Sequence, residues 1–329
     1  MAEITTSINA GALSTRKPRS FLGDLFYRLV KEKPLGTFGA AIVIVLLLAG
    51  IFANFIAPYG YNDPYVDARL SPPSGKTILG TDQMGRDVLS RIIYGARVSM
   101  IVSLATSTLS VAISTAIGIF SGFAGGKTDL VAQRFVDAWM CFPGIFLILT
   151  IMSILGPGMA QVIIVLGVSG GISGSRVIRS TVINIKENVY VEAARSIGCP
   201  TGKLLLRHIL PNITAPIIIM FTTGMGAAII AEASISFLGF GIPPPTPSWG
   251  GMLSTSGRTY MLTAPWLAVW PGLALTFVVY GINMFGDALR DLLDPRLRGG
   301  LGRYSGTKKL SKRLSAVKLG TTPARKQEV

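Results

Sequence analysis

Apolar runs long enough to cross a lipid bilayer recur along the whole chain, and they constrain its fold more tightly than any motif. Six can be drawn, at roughly Leu35 to Ala57, Val98 to Phe123, Phe135 to Leu155, Met159 to Ser175, Ile213 to Gly239 and Pro265 to Leu289. A helix rises about 1.5 Å per residue, so each is long enough for a hydrocarbon layer of about 30 Å, the fourth only marginally. Charged residues make up 14% of the chain, against about 25% in soluble domains. The expectation is an all-helical (all-α) polytopic membrane protein with six transmembrane helices. The first run follows Arg28, Lys31 and Lys33 and has no small-x-small cleavage site, so it reads as a retained signal anchor.

Orientation follows from the basic residues. The segments 1–34, 124–134, 176–212 and 290–329 carry 25 of the 31 lysines and arginines. By the positive-inside rule these segments, and with them both termini, are cytoplasmic, as an even number of spans requires. The net charge of +15 then needs no nucleic-acid partner. Eleven of the basic residues lie in the last forty, where anionic membrane lipid attracts them. A solvated, disordered tail is the plainer reading of its far end. Two cysteines, Cys141 and Cys199, and a single histidine, His208, offer neither a disulfide framework nor a metal-ligand cluster.

The cytoplasmic loop at about 184–211 holds the most specific pattern. Val189, Ala193 and Ile197 recur at i, i+4 and i+8, with Tyr190 and Ala194 beside them, giving a helical face of small and apolar side chains. Asn188 is a suitable N-cap and Gly198 a suitable stop. After Pro200 and Thr201, a second apolar set from Leu204 to Leu210 ends at Pro211, where the fifth span begins. Two helices this short are marginal in water, so something covers them. Ala193 and Ala194 let a partner's backbone approach closely, while Glu192 and Arg195 offer charges for orientation. The plain alternative is a helical hairpin lying on the membrane surface.

Glu192-Ala193-Ala194, three residues, Gly198, and then Leu210-Pro211 resemble the EAA loop of permease subunits in binding-protein-dependent ABC importers. In that family the loop forms coupling helices that sit in a groove of the ATPase subunit. Many members have isoleucine two residues before the leucine, where this chain has His208, a substitution that resembles the peptide branch. Flanking stretches narrow the resemblance to dipeptide and oligopeptide permeases of the DppC/OppC type. They are Leu79 to Arg91, Gly125-Gly126 through Asp137, Ser236-Phe237-Leu238-Gly239 through Trp249-Gly250, and Gly286-Asp287 to Asp294-Pro295-Arg296.

Those stretches also read physically. Thr81 or Asp82 would cap an amphipathic helix with Leu89, Ile92, Ile93 and Ala96 on its apolar face, lying at the outer interface before the second span. The Pro243 to Trp249 loop is stiffened by proline and ends in an interfacial aromatic, suiting an outer gate, a binding-protein contact or a rigid connector. Gly167 with Gly171, and Gly170 with Gly174, suit close helix packing. Gly122 to Thr128 ends in Gly-Lys-Thr like a P-loop. Ser121 stands where that pattern needs glycine, and a membrane span precedes it instead of a strand, so no nucleotide site is expected. Glu232 falls about 28 Å along the fifth span, toward the outer side. An ionisable group there faces the bundle or an aqueous cavity, as a translocation-path residue or as a paired structural carboxylate.

The expected organisation is a cytoplasmic N-terminal segment 1–34, a first transmembrane helix 35–57, an extracytoplasmic segment 58–97 with its amphipathic helix, a permease core 98–289, and a basic cytoplasmic tail 290–329. The resemblance implies the MetI-like permease fold of type I ABC importers, in the cytoplasmic (inner) membrane. It also implies a second homologous permease subunit, two ABC ATPase subunits, an extracytoplasmic solute-binding protein and a peptide substrate. The chain would bind no cofactor or metal and carry no catalytic residue, ATP being hydrolysed by the partner subunits. The coupling residues would be Glu192, Ala193, Ala194, Arg195, Gly198, Leu210 and Pro211. Alternatives are nickel, glutathione or another small solute as cargo, or, from other classes, a self-sufficient secondary transporter or a non-transporting membrane scaffold.

Overall fold

Glycine and proline divide the chain into its helices. The computed structural model describes residues 21–293, and the expectations for 1–20 and for the tail from 294, including Asp294-Pro295-Arg296, lie outside them. Among the described residues there are helices and turns but no strand. In order they are α1 (Phe21–Glu32), α2 (Pro34–Ile51), α3 (Ala53–Ile56), α4 (Val88–Ala124), α5 (Gly126–Met140) and α6 (Gly144–Leu155). There follow α7 (Met159–Lys186), α8 (Val189–Ser196), α9 (Thr201–Leu204), α10 (Leu210–Phe237), α11 (Trp249–Met252) and α12 (Trp266–Leu293). Five helices are long and apolar enough to span: α2, α4, α7, the run from Thr201 through α10, and α12. The third span expected from the sequence differs. It is a bent pair, α5 and α6, meeting at 85° around Cys141–Pro143. Pro143 has no amide hydrogen to donate and biases Phe142 away from the helical region, so the run breaks there despite its unbroken hydropathy.

The outer part of the second span also differs. The amphipathic stretch from Val88 is not a separate interfacial helix but the first turns of α4, which continues to Ala124. Its cap is Asp87, whose Oδ2 accepts from the Ser90 amide and hydroxyl, both at 2.7 Å. Asp82 is engaged elsewhere, accepting from Arg86 Nε at 2.7 Å and from the amides of Met84 and Arg86. Thr81 Oγ1 donates to the Ala68 carbonyl at 2.7 Å. Gly95 does not interrupt α4, because a side chain there is what the packing forbids: a Cβ would lie 2.7 Å from the indole nitrogen of Trp249. That nitrogen donates to the Ile92 carbonyl at 3.1 Å, fastening the proline-stiffened outer loop to α4.

The centre of the bundle is the α4–α7 pair, which pack along most of their lengths, with α10 against both and α12 between α10 and α2. The glycines of α7 make this approach possible. A Cβ at Gly167 would lie 2.7 Å from Leu109 Cδ2, and one at Gly171 2.6 Å from Ile113 Cβ. The Ser114 hydroxyl then reaches the Gly171 carbonyl at 2.9 Å. At its C-terminal end α7 runs past the expected Ser175 to Lys186, carrying Arg176 and Arg179 to α5. Arg179 Nε meets Asp129 Oδ1 at 2.6 Å, and Arg176 pairs with Asp137.

Candidate functional site: the loop between α7 and α10

The loop is an extension of the core, not a tether. α7 ends at Lys186, and after two residues α8 begins. Asn188 occupies the N-cap position with extended backbone angles, but its side chain turns back, donating to the Ile185 carbonyl at 3.2 Å to close α7. α8 stops in a Schellman arrangement: the Cys199 amide donates to the Ala194 carbonyl at 3.1 Å, and the Gly198 amide to the Arg195 carbonyl at 3.0 Å. Gly198 has φ +79°, a left-handed conformation that other residues adopt at a cost, although the space around it is open.

α8 has two unlike faces. Val191 and Ala194 are buried, packed with Ile178, Val182 and Ile185 of α7 and with Leu204, Ile209 and Ile213. Val189 and Ile197, in contrast, are 81% and 86% exposed, with Tyr190, Ala193 and Leu206 also turned outward. The two alanines thus differ: Ala193 is exposed, while Ala194 is spent on the chain's own packing. Glu192 projects to solvent, and among the described residues its carboxylate has no partner. Arg195 does not pair with it. Its guanidinium lies 5.7 Å from the centre of the Phe123 ring, at the end of α4.

The second arm differs from expectation too. Instead of a separate helix ending at Pro211, the chain runs from Thr201 through a wide π turn at Leu205–Ile209 straight into α10, where Leu210 and Pro211 occupy the first turn. The wide turn suits Pro211, whose ring would crowd the carbonyl of Arg207 in regular α-helix. Tyr190 and His208 bring the two arms together, with ring centroids 6.3 Å apart. Lys186, which the motif does not include, completes the attachment by donating to the Phe123 carbonyl at 2.7 Å. Its signal in the sequence was a lone cation at the close of a span. The site residues Glu192, Ala193, Ala194, Arg195, Gly198, Leu210 and Pro211 thus share one compact unit that packs against the end of α7 and runs into α10, with an apolar face turned outward.

Glu232 lies elsewhere, toward the C-terminal end of α10. It is 1% exposed; Oε1 accepts from the Ser236 hydroxyl at 2.7 Å, and among the described residues Oε2 has no hydrogen-bond partner. Beside it is a cavity of about 280 Å³ whose lining includes Arg86, Arg91, Ser236, Pro243 and Ser248. The carboxylate is enclosed by its own chain, so contact with a solute path requires the stretch after α10 to move.

Comparison with known proteins agrees with these features. Residues 114–299 match the family model described as binding-protein-dependent transport system inner membrane component. Residues 20–73 match the N-terminal TM domain of oligopeptide transport permease C. The chain is 37% identical over 272 residues to the dipeptide transport system permease protein DppC of Alkalihalophilus pseudofirmus, covering 83% of this chain and 89% of that one. It is 38% identical over 275 residues to the glutathione transport system permease protein GsiD of Escherichia coli O1:K1 / APEC and to that of Shigella boydii serotype 4, covering 83% of this chain and 90% of each.

Proposed function

The chain belongs to the family of binding-protein-dependent transport system inner membrane components, and from that premise we propose that its Glu192 to Pro211 loop couples ATP hydrolysis by partner subunits to the uptake of short peptides. It is a multi-pass inner-membrane permease subunit. The observation that carries the coupling role is the two-sidedness of α8: one face locked to α7 and α10, the other presenting Val189 and Ile197 to water. Burying an aliphatic side chain of that size stabilises an interface by about 1.5–3 kcal/mol. An ATPase groove that covers this face gains that amount, and each ATPase subunit of a pair takes one such loop, from this chain or from a second, similar permease subunit. When the ATPase dimer closes, the loop moves as a rigid body. The continuous run into α10 passes the motion to the spans, exchanging inward and outward openings. Both termini face the cytoplasm, and a solute-binding protein delivers cargo at the outer loop of Pro243 to Trp249.

The cargo proposed is a dipeptide or short oligopeptide. The glutathione permeases among the relatives favour a second reading within the same chemistry, since glutathione is itself a short peptide. A self-sufficient secondary transporter has no use for an apolar cytoplasmic face, and a scaffold has none for an outer cavity. The test is purification of the tagged chain from detergent-solubilised native membranes, with mass spectrometry of what accompanies it. Recovery of a second permease and ATPase subunits is expected; recovery of the chain alone, at full yield, contradicts the proposal.

A further inference from the structure

A span face that meets lipid carries apolar side chains, and α2 obeys this along its length: every exposed residue from Leu35 to Ile51 is apolar. α12 does not. Its buried residues include Val278, Gly281, Ile282 and Leu289, while Thr276, Tyr280, Asn283 and Asp287 recur at i, i+4, i+7 and i+11 along an exposed face. Thr276 satisfies itself on the Gly272 carbonyl at 2.8 Å. Tyr280, Asn283 and Asp287 make no hydrogen bond or ion pair among the described residues. In a helix of 28 residues, Tyr280 and Asn283 fall within about 5 Å of the midpoint and Asp287 about 11 Å from it, inside the roughly 15 Å half-thickness of the hydrocarbon layer. Lipid cannot satisfy an amide and a carboxylate at that depth, so something else covers this face.

The stripe edges a groove of about 500 Å³ between α10 and α12, whose wall also includes Ile230, Leu275, Val279 and Met284. We infer that this groove is a wall of the solute path and holds the amino-terminal end of a peptide, the ammonium on Asp287 and the backbone on Asn283. The inference rests on the importer reading above. Its groups are reachable, Tyr280 being 54% exposed and Asn283 and Asp287 exposed as well. Asp287 supplies the charge of the lining, and Arg290, the next charged residue on that face, is not within ion-pair distance of it, so the site calls for a cation. The Asn283 amide both donates and accepts, which matches the N–H and C=O of a peptide. From Asp287 to Asn283 the helix rises about 6 Å, close to the roughly 7 Å that two residues of extended chain cover.

Glycine makes room for the asparagine. A Cβ at Gly226 of α10 would lie 2.7 Å from Asn283 Oδ1. The volume and the mostly apolar wall with a few polar groups suit a small ligand. A packed partner helix would have to bring its own cation to Asp287, whereas a peptide carries one at its amino terminus, and water fills the groove between passages.

The test is cysteine labelling in native membrane fragments, open to reagent on both sides, with the full chain carrying Cys141→Ser and Cys199→Ser. Tyr280→Cys stands about 10 Å along α12 from Asp287, beside the far end of a bound tripeptide. Val45→Cys, on the apolar exposed face of α2, is the lipid-covered control. The reagent is a cationic methanethiosulfonate, which needs water to reach a thiolate. Labelling at 280 is expected to be at least about tenfold faster than at 45. Trialanine at about ten times its Kd slows it about tenfold, N-acetyl-trialanine at the same concentration leaves it unchanged, and Asp287→Asn removes the protection. Labelling at 280 as slow as at 45 overturns the path, whether lipid or a second permease covers the groove. Equal protection by both peptides, protection by neither, or protection that survives Asp287→Asn overturns the peptide site. The importer reading fails separately, if the wild-type chain purifies without an ATPase, whatever the labelling shows.

Discussion

The Lys186 ammonium donates to the Phe123 carbonyl at 2.7 Å, joining the last turn of α7 to the last turns of α4 where the loop to α10 departs. The same Phe123 ring lies 5.6 Å from that ammonium and 5.7 Å from the Arg195 guanidinium. One aromatic residue therefore takes cations from both the root and the tip of α8.

Removing that ring loosens the lever without unfolding the spans. A cation–π contact at an exposed site contributes about 0.5–1 kcal/mol. Phe123→Ala loses two of them and is expected to lower peptide uptake about threefold to tenfold, with membrane yield unchanged. Uptake into vesicles, normalised to the amount of chain present, measures it.

Neighbouring alanines are expected to fail in different ways. Ala193 is exposed and Ala194 is buried in the cluster that includes Ile185 and Leu204. Ala194→Asp puts an unpaired charge into that cluster at a cost of several kcal/mol, and lowers the detergent-solubilised yield or melting temperature. Ala193→Asp leaves both as in the wild type and lowers the amount of ATPase recovered with the chain. A thermal melt beside a pull-down distinguishes the two.

Gly198 tests the stop of α8 by conformation alone. Its φ of +79° lies in the left-handed region, with nothing near the position a Cβ would take. A non-glycine residue there costs about 1–2 kcal/mol, least for asparagine. Uptake is expected to fall in the order Gly198, Gly198→Asn, Gly198→Val, and a valine variant as active as the wild type would show that the stop is dispensable.

The Arg179–Asp129 pair fastens α5 to α7 with both side chains largely shielded, at 29% and 16% exposure. Arg179→Asp is expected to cost about 1–3 kcal/mol, read as a fall in melting temperature. The exchange Arg179→Asp with Asp129→Arg recovers most of it. Absence of recovery would mean that the pair is incidental.

Much of this architecture was legible in the chain because hydropathy and spacing are local. Apolar runs located the spans, and the spacing of Val189, Ala193 and Ile197 located one face of α8. Which face turns inward was not local: Val191 and Ala194 are buried only because α7 carries Val182 and Ile185 beneath them. The bend at Cys141–Pro143 escaped for a similar reason, since hydropathy carries no angle, although Pro143 was its signal. The cap of α4 fell to Asp87 because Arg86 and two amides occupy Asp82, a competition that capping preference alone does not resolve.

Glu232 is expected to tolerate a neutral isostere. Its Oε1 accepts from Ser236 at 2.7 Å while, among the described residues, Oε2 has no hydrogen-bond partner. Glu232→Gln retains an acceptor at that position, so uptake within about twofold of wild type is expected, whereas Glu232→Leu strands the Ser236 hydroxyl and costs about 1–3 kcal/mol of stability. A large loss of uptake in the glutamine variant, at unchanged stability, would place the charge itself in the path.

The central claim is that the outward face of α8 is the surface on which an ATPase subunit docks, and it is tested most directly by the double variant Val189→Asp with Ile197→Asp. Both side chains are more than four-fifths exposed, so the substitutions leave the chain's own packing intact. Each removes an apolar contact of about 1.5–3 kcal/mol from the proposed interface, which predicts an ATPase affinity at least about a hundredfold weaker. The measurement is the amount of ATPase subunit retained by the tagged chain in detergent, at matched expression and melting temperature. Near-complete loss is the predicted result; retention equal to wild type, with transport intact, would contradict the account.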